Sequence, residues 1–219
     1  MNIAKETLLN ADHCTLVVDD TTLPLGSALY TWLLMHHKKV SLVATKKPSR
    51  KYGALPWIDK VRYEVKKSSD LVYELRCNVQ ELHQFFIQNN AKINAKIATA
   101  LCYGYIIEYN FFTSNKTDGI IFASIAQLID QGADFHLCKR DLVMSRSLAS
   151  VRLQGYLFQT MMQKNNGTQI CLYVTDELLE LSGATLDDCD AIMEECLKIV
   201  HVQEVVLYKN DTIITILKD

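Results

Sequence analysis

At 219 residues and 49% hydrophobic, the chain carries enough apolar material for a substantial core in one or two domains. A formal net charge of −2 gives no overall bias toward nucleic acid, and no run approaches the roughly 20 apolar residues of a membrane span. Seven scattered cysteines without a CxxC argue against a zinc or disulfide framework and read as reduced, buried thiols. The start, MNIAKETLLNADHCT, lacks a basic segment followed by an apolar run. The expectation is therefore no signal peptide, no membrane and a cytoplasmic location.

Residues 2–11 suit a short amphipathic helix. Thr15 to Val18 is a compact apolar strand that ends at Asp19 and Asp20. After a turn from Thr21 to Leu25, Gly26 and Ser27 open a helix with Leu29, Trp32, Leu33 and His36 on one face. Val40 to Ala44 is a second strand. This spacing is a βαβ unit, hence a parallel pair with a right-handed crossover. Ligands of open parallel sheets sit beyond the carboxyl ends of the strands, which is where Asp19 and Asp20 fall. Carboxylates at a strand end more often cap the next turn than bind metal.

Residues 38–67 hold ten Lys or Arg against Asp59 and Glu64, a local charge of +8 in a chain of negative total. The densest part is Lys46, Lys47, Arg50 and Lys51. Such a run attracts phosphates, and it also serves as a solvated loop that keeps a protein soluble. Both readings stand at this point. From Ile93 the chain reads as an Ala-rich helix through Ile97, Ala100, Leu101 and Gly104, the composition of a tightly packed central element. It breaks at Glu108-Tyr109-Asn110 and resumes as a second striped helix closed by Gly132.

Asn165-Asn166-Gly167 is a tight turn and Gln169 to Val174 a strand. Thr185 with Asp188 reads as a helix start in which each side chain satisfies a free amide. Leu186, Cys189, Ile192, Met193, Cys196, Leu197 and Val200 form its apolar stripe. Gln203 to Tyr208 and Thr212 to Leu217 are closing strands, a hairpin across Lys209-Asn210-Asp211. This half is acidic over 176–204, opposite in sign to the basic run.

Ile97 to Leu101, Gly104 to Ile107, Phe112 and Leu128 to Asp134 resemble the text of the DHH/DHHA1 phosphoesterases, the group of RecJ-like exonucleases, oligoribonucleases and pAp phosphatases. The resemblance spans roughly residues 14–217. It implies an α/β fold: a parallel sheet with helices on both faces in a DHH-like domain over 1–144. A smaller, truncated mixed α/β half, DHHA1-like, follows over 145–219, with Ser145 to Met162 as the linking helix. Asp70 to Cys77 resembles the family's third strand, and Gln80 to Phe86 a helix that normally follows the Asp-His-His signature.

The resemblance also says where the chemistry is thinned out. The family places a His and two Asp ahead of Gly-Ser; counted back from Gly26-Ser27, those positions hold Val17, Thr21 and Leu23. Valine and leucine offer no lone pair to a hard cation. The Asp closing the third strand is Arg76, whose guanidinium cannot ligate. The family's Asp-Thr-Gly is Glu108-Tyr109-Asn110, and the Asp-His-His is absent. His36-His37 follows no Asp and lies on the tail of the first crossover helix. The strand matching Ile213 to Leu217 lacks the family's Arg, and no Gly-Gly-Gly-His follows it.

The expectation is a catalytically lapsed phosphoesterase-like protein, with no catalytic residue, no assembled metal site and no cofactor. Asp19, Asp20 and Glu108 are remnant carboxylates. Lys46, Lys47, Arg50, Lys51 and Arg76 are the anion-binding candidates. Asp19, Arg76 and Glu108 are expected near one cleft, where an ion pair stands in place of the metal. The lapsed protein is expected to act through a homo-oligomer or a heteromeric protein partner, with nucleic acid as a further candidate ligand and the closing strand Thr212 to Leu217 as an exposed edge. Two alternatives stay open. One is a hydrolase of short oligonucleotides or 3′-phosphonucleotides using Mn²⁺ or Mg²⁺ through Asp19, Asp20, Glu108 and a His; the other is a nucleotide or nucleic-acid binder without turnover.

Overall fold

The computed structural model describes residues 5–65, 69–143, 146–210 and 212–218, save the side chain of Arg50. The chain divides into two compact units, Met1–Ser145 and Arg146–Asp219.

In the first unit, α1 (Lys5–Asn10) leads into β1 (His13–Val18), α2 (Leu23–Met35) and β2 (Lys39–Ala44). β3 (Val61–Arg62) and β4 (Leu71–Glu74) complete a four-stranded sheet in the order β3-β2-β1-β4, parallel throughout and flanked by helices. α3 (Val79–Gln88), α4 (Ala95–Glu108), α5 (Gly119–Asp130) and α6 (Phe135–Val143) follow. α2 begins three residues before the expected Gly26, because Pro24 lies in its first turn, where a missing N–H leaves no helix bond unmade. His36 is an exposed residue after the helix, not part of the buried face, though its ring stands edge-on to Trp32.

Cys14, Leu16 and Val18 on β1 and Leu42 and Ala44 on β2 share a core with α2 and α4. Gly26 is required there, since a Cβ would stand 2.5 Å from Val18 Cγ1 and 3.1 Å from Leu42 Cδ1. α4 is the central helix of the unit: every residue from Ile97 to Ile106 is buried. At Gly104 a Cβ would meet Leu25 Cδ2 and Val79 Cγ2, each at 3.0 Å, so the small residue sets how closely α2 and α3 approach. The helix starts at Asn94, whose side chain accepts from the Ile97 amide at 3.0 Å. At the amino end of the sheet, polar side chains occupy the other face. His13 Nε2 lies 2.9 Å from Ser41 Oγ, and Ser69 donates to Thr15 Oγ1 at 2.7 Å.

In the second unit, α7 (Leu148–Thr160) precedes β5 (Met162–Lys164) and β6 (Gln169–Tyr173). α8 (Asp176–Ser182), α9 (Asp188–Leu197), β7 (Glu204–Lys209) and β8 (Thr212–Leu217) follow. The mixed sheet runs β5-β6-β7-β8, with β6 and β7 parallel and the other pairs antiparallel. Its core joins Leu153 and Leu157 of α7, Ile170 and Leu172 of β6, Cys189 to Cys196 of α9, and Val205 and Leu207 of β7. At the start of α9 the Asp188 carboxylate accepts the Thr185 amide at 2.8 Å, but the Thr185 hydroxyl donates to that same carboxylate and receives no amide. The stripe ends with the helix at Leu197, leaving Val200 73% exposed. β7 and β8 form the expected hairpin; Asn210 after β7 has φ 50°, and Asp211 lies outside the described residues.

Candidate functional site

The parallel sheet decides where a site can form. α2 returns from the carboxyl end of β1 to the amino end of β2, so the carboxyl edge gathers Asp19 and Asp20 after β1, Lys46 and Lys47 after β2, and Arg76 after β4. The Leu75 amide, bonded to the Val17 carbonyl at 2.9 Å, carries β4 along β1 up to that edge. His36 and His37, at the far end of α2, fall on the opposite edge.

A cleft of about 240 Å³ lies there, lined by Asp19, Asp20, Thr21, Leu23, Lys46 and Lys47 among others. Both aspartates are committed to local structure. Asp19 Oδ1 accepts the amides of Thr21 and Thr22 at 3.0 and 2.8 Å and their hydroxyls at 2.7 and 2.9 Å. Partial burial pushes the Asp19 carboxyl up, but these four donors outweigh it and hold its pKa below the ordinary value. Asp20 accepts the Ser49 amide at 3.1 Å and pairs with Lys51 Nζ at 3.1 Å, while its carbonyl takes the Tyr52 hydroxyl. The two carboxylates thus tie the turn before α2 and pin the basic loop, as turn caps do.

The far side of the same loop is held by Asp141 of α6. Its Oδ2 accepts the Ala54 amide at 2.6 Å and the Tyr103 hydroxyl at 2.9 Å. The loop that carries the lysines is therefore fastened at Asp20, Tyr52 and Asp141. Lys46 and Lys47 are exposed, and neither makes an ion pair among the described residues. The side chain of Arg50 lies outside the described residues. Tyr52 and Asp141 carry no sequence signal of this role; one is a lone aromatic in a turn, the other a single acid on a helix.

Arg76 and Glu108 are not among the residues lining this cleft. Arg76 is exposed and pairs with Glu74 at 2.6 Å. Glu108 ends α4 and accepts the Val79 amide at 2.8 Å, serving the amino end of α3 alongside the Asn78–Glu81 capping box. Burial of its carboxylate raises the pKa and the Val79 amide opposes that rise; because the residue as a whole is exposed, solvent tempers both effects. No ion pair joins Arg76 to Glu108 among the described residues. After Glu108, Asn110, Phe111 and Phe112 take φ of 45°, 55° and 64°, a left-handed run that asparagine tolerates and phenylalanine does not favour.

The residues do not fit a divalent cation. Val17 pairs in register with Val43 and Glu74, Leu23 is fully buried, and Thr21 is spent on Asp19. No cluster of three or more His, Cys, Asp or Glu among the described residues could hold a metal. Thiol nucleophiles have no better standing, since burial pushes Cys14, Cys77, Cys189 and Cys196 up to about 11 and Cys102 to about 12.

No protein-family model matches the chain, and no curated protein matches it. Among solved structures, an exopolyphosphatase-related protein from Bacteroides fragilis superposes with a TM-score of 0.84 at 14% identity, over 100% of this chain and 85% of that one. Likeness at this identity shows a shared fold. A structure described as a family II inorganic pyrophosphatase from Methanococcus jannaschii aligns over 91% of this chain and 84% of that one, at 11% identity and a TM-score of 0.34, too loose to carry weight. Among the described residues no helix is long and apolar enough to cross a membrane.

Proposed function

We propose that this chain is a lapsed phosphoesterase of the DHH/DHHA1 type that binds a phosphate-bearing ligand at the carboxyl edge of its parallel sheet without hydrolysing it. One observation supports the reading: the turn from β1 into α2 stands at the carboxyl edge of the parallel sheet, and the positions there that the DHH/DHHA1 resemblance marks as metal ligands are Val17, Thr21 and Leu23. Two-metal hydrolysis requires cations to activate water and to stabilise the leaving oxygen. Asp19 is held by Thr21 and Thr22 and Asp20 is paired with Lys51, which leaves Lys46 and Lys47 as the lining cations with no ion pair among the described residues. An anion is the ligand class such an edge favours. The exopolyphosphatase-related neighbour supports testing polyphosphates beside phosphorylated nucleotides.

The test is equilibrium binding of tripolyphosphate, 3′-phosphoadenosine 5′-phosphate and a short single-stranded oligoribonucleotide, with adenosine as the uncharged control. The expected result is binding of at least one phosphorylated probe that weakens as salt rises, no binding of adenosine, and at least tenfold loss in Lys46→Glu/Lys47→Glu. Equal affinity in the doubly reversed variant would overturn the site. Hydrolysis of any probe would overturn the lapse.

A further inference from the structure

β8 forms one edge of the second sheet, and its hydrogen-bonding phase is fixed by three separate contacts. Lys218 N–H donates to the Gln203 carbonyl, Glu204 N–H turns toward Thr168 on the β6 side, and so does the Tyr208 carbonyl, which takes the Val174 amide. In an antiparallel pair the bonded and unbonded positions alternate. With Glu204 opposite Leu217, the residues of β8 whose amides and carbonyls face β7 are therefore Thr212, Ile214 and Ile216. Ile213, Thr215 and Leu217 direct theirs outward, where no strand pairs with them among the described residues.

The same three residues carry exposed side chains, with Ile213 61% and Leu217 68% exposed, whereas Ile214 and Ile216 pack on the core. Folds usually blunt an edge with a lysine, a proline, a bulge or an inward charge. The six residues of β8 contain none of these.

We propose that β8 pairs antiparallel with β8 of a second copy of this chain, about a two-fold axis at Thr215. The commitment to a second copy follows from the near-palindrome Ile213-Ile214-Thr215-Ile216-Leu217, which is centred on an outward-bonding residue. An antiparallel register centred on Thr215 sets Ile213 opposite the second copy's Leu217 and Thr215 opposite its own counterpart. Every outward amide then meets an outward carbonyl, and every side chain meets one on the same face of the sheet. A register one residue away puts outward groups against inward ones. A register two residues away keeps the phase but drops one bonded pair. The strand is thus complementary to itself in a single best register, the condition for a closed isologous dimer, and the two sheets become one of eight strands. Ile213 and Leu217 meet across the junction on one face; Ile214 and Ile216 do so on the other, extending the helix-covered core.

The experiment is sedimentation velocity of the 219-residue chain over a hundredfold concentration range, with amide hydrogen exchange resolved along β8. The expected mass rises from one chain to two and stops there. In the dimer, Ile213, Thr215 and Leu217 should exchange as slowly as Ile214 and Ile216. Thr215→Pro removes an outward N–H that no bond to β7 uses, so it should give a single-chain mass, with fast exchange at Ile213 and Leu217 and slow exchange kept at Ile214 and Ile216. Should that variant lose protection at Ile214 as well, Ile213→Lys/Leu217→Lys repeats the test with charge in place of the ring. A single-chain mass at every concentration overturns the proposal, whether the outward amides exchange fast or slowly. So does a dimer that survives in the folded edge variants.

Discussion

Asp141 is the most informative single position in the first unit, because one carboxylate oxygen serves two donors, the Ala54 amide and the Tyr103 hydroxyl. Asp141→Ala strands the Tyr103 hydroxyl, whose residue is fully buried, and the Ala54 amide, whose residue is half-buried. A buried donor left without a partner costs about 1–3 kcal/mol, and one that water can reach costs nearer the net value of an ordinary bond, about 0.5–1.5 kcal/mol. The expected loss is therefore about 2–4 kcal/mol. Both tryptophans, Trp32 and Trp57, belong to the first unit, so urea unfolding followed by tryptophan fluorescence reports on it alone. Tyr103→Phe supplies the control. In that background no hydroxyl remains to be stranded, and Asp141→Ala should cost about 1–2 kcal/mol less than it does alone. A loss below about 0.5 kcal/mol, or an equal loss in both backgrounds, would refute the assignment of Asp141 as the anchor of the basic loop.

Three further outcomes follow from the packing and the titrating groups. Gly26→Ala sets a methyl 2.5 Å from Val18 Cγ1, which is buried and cannot swing away, so destabilisation of about 1–3 kcal/mol is expected in the same fluorescence assay. Burial holds the His83 pKa below its ordinary value of 6.5, and its Nε2 has no partner among the described residues. The unfolded chain therefore binds more protons than the folded one as pH falls below 6.5, stability drops in that window, and His83→Gln should flatten the slope. Glu108→Gln keeps an oxygen for the Val79 amide and should unfold near the wild-type urea midpoint, whereas Glu108→Ala strands that amide and should lose about 1 kcal/mol.

The fold was legible where the sequence carries a period or a punctuation mark. Thr15 to Val18, the Leu29–Trp32–Leu33 face and the small-residue run through Gly104 lie where their patterns place them, because apolar spacing and close packing both leave a trace in composition. β3 is two residues long and shows no alternation, so nothing in Val61-Arg62 distinguishes it from the loop around it. The polar contacts His13–Ser41 and Ser69–Thr15 escape for another reason, since they join β1 to β2 and to the segment just before β4, partners brought together only in three dimensions. At the site, position in the topology was readable, as Asp19, Asp20, Lys46 and Arg76 all follow strands of the parallel sheet. Pairing was not. That Asp20 would take Lys51 and Arg76 would take Glu74 depends on loop paths that short-range pattern does not encode.

The central claim, a phosphoesterase scaffold that has lost its hydrolytic site, meets its most direct test in Mn²⁺-dependent turnover. The measurement is steady-state hydrolysis of a chromogenic phosphodiester and of 3′-phosphoadenosine 5′-phosphate with Mn²⁺ supplied, comparing wild type with Glu108→Gln. With Val17, Thr21, Leu23 and Arg76 where the DHH/DHHA1 resemblance expects metal ligands, both proteins should release product at the rate of buffer alone. Turnover by the wild type that Glu108→Gln abolishes would contradict the claim and mark Glu108 as part of a working site.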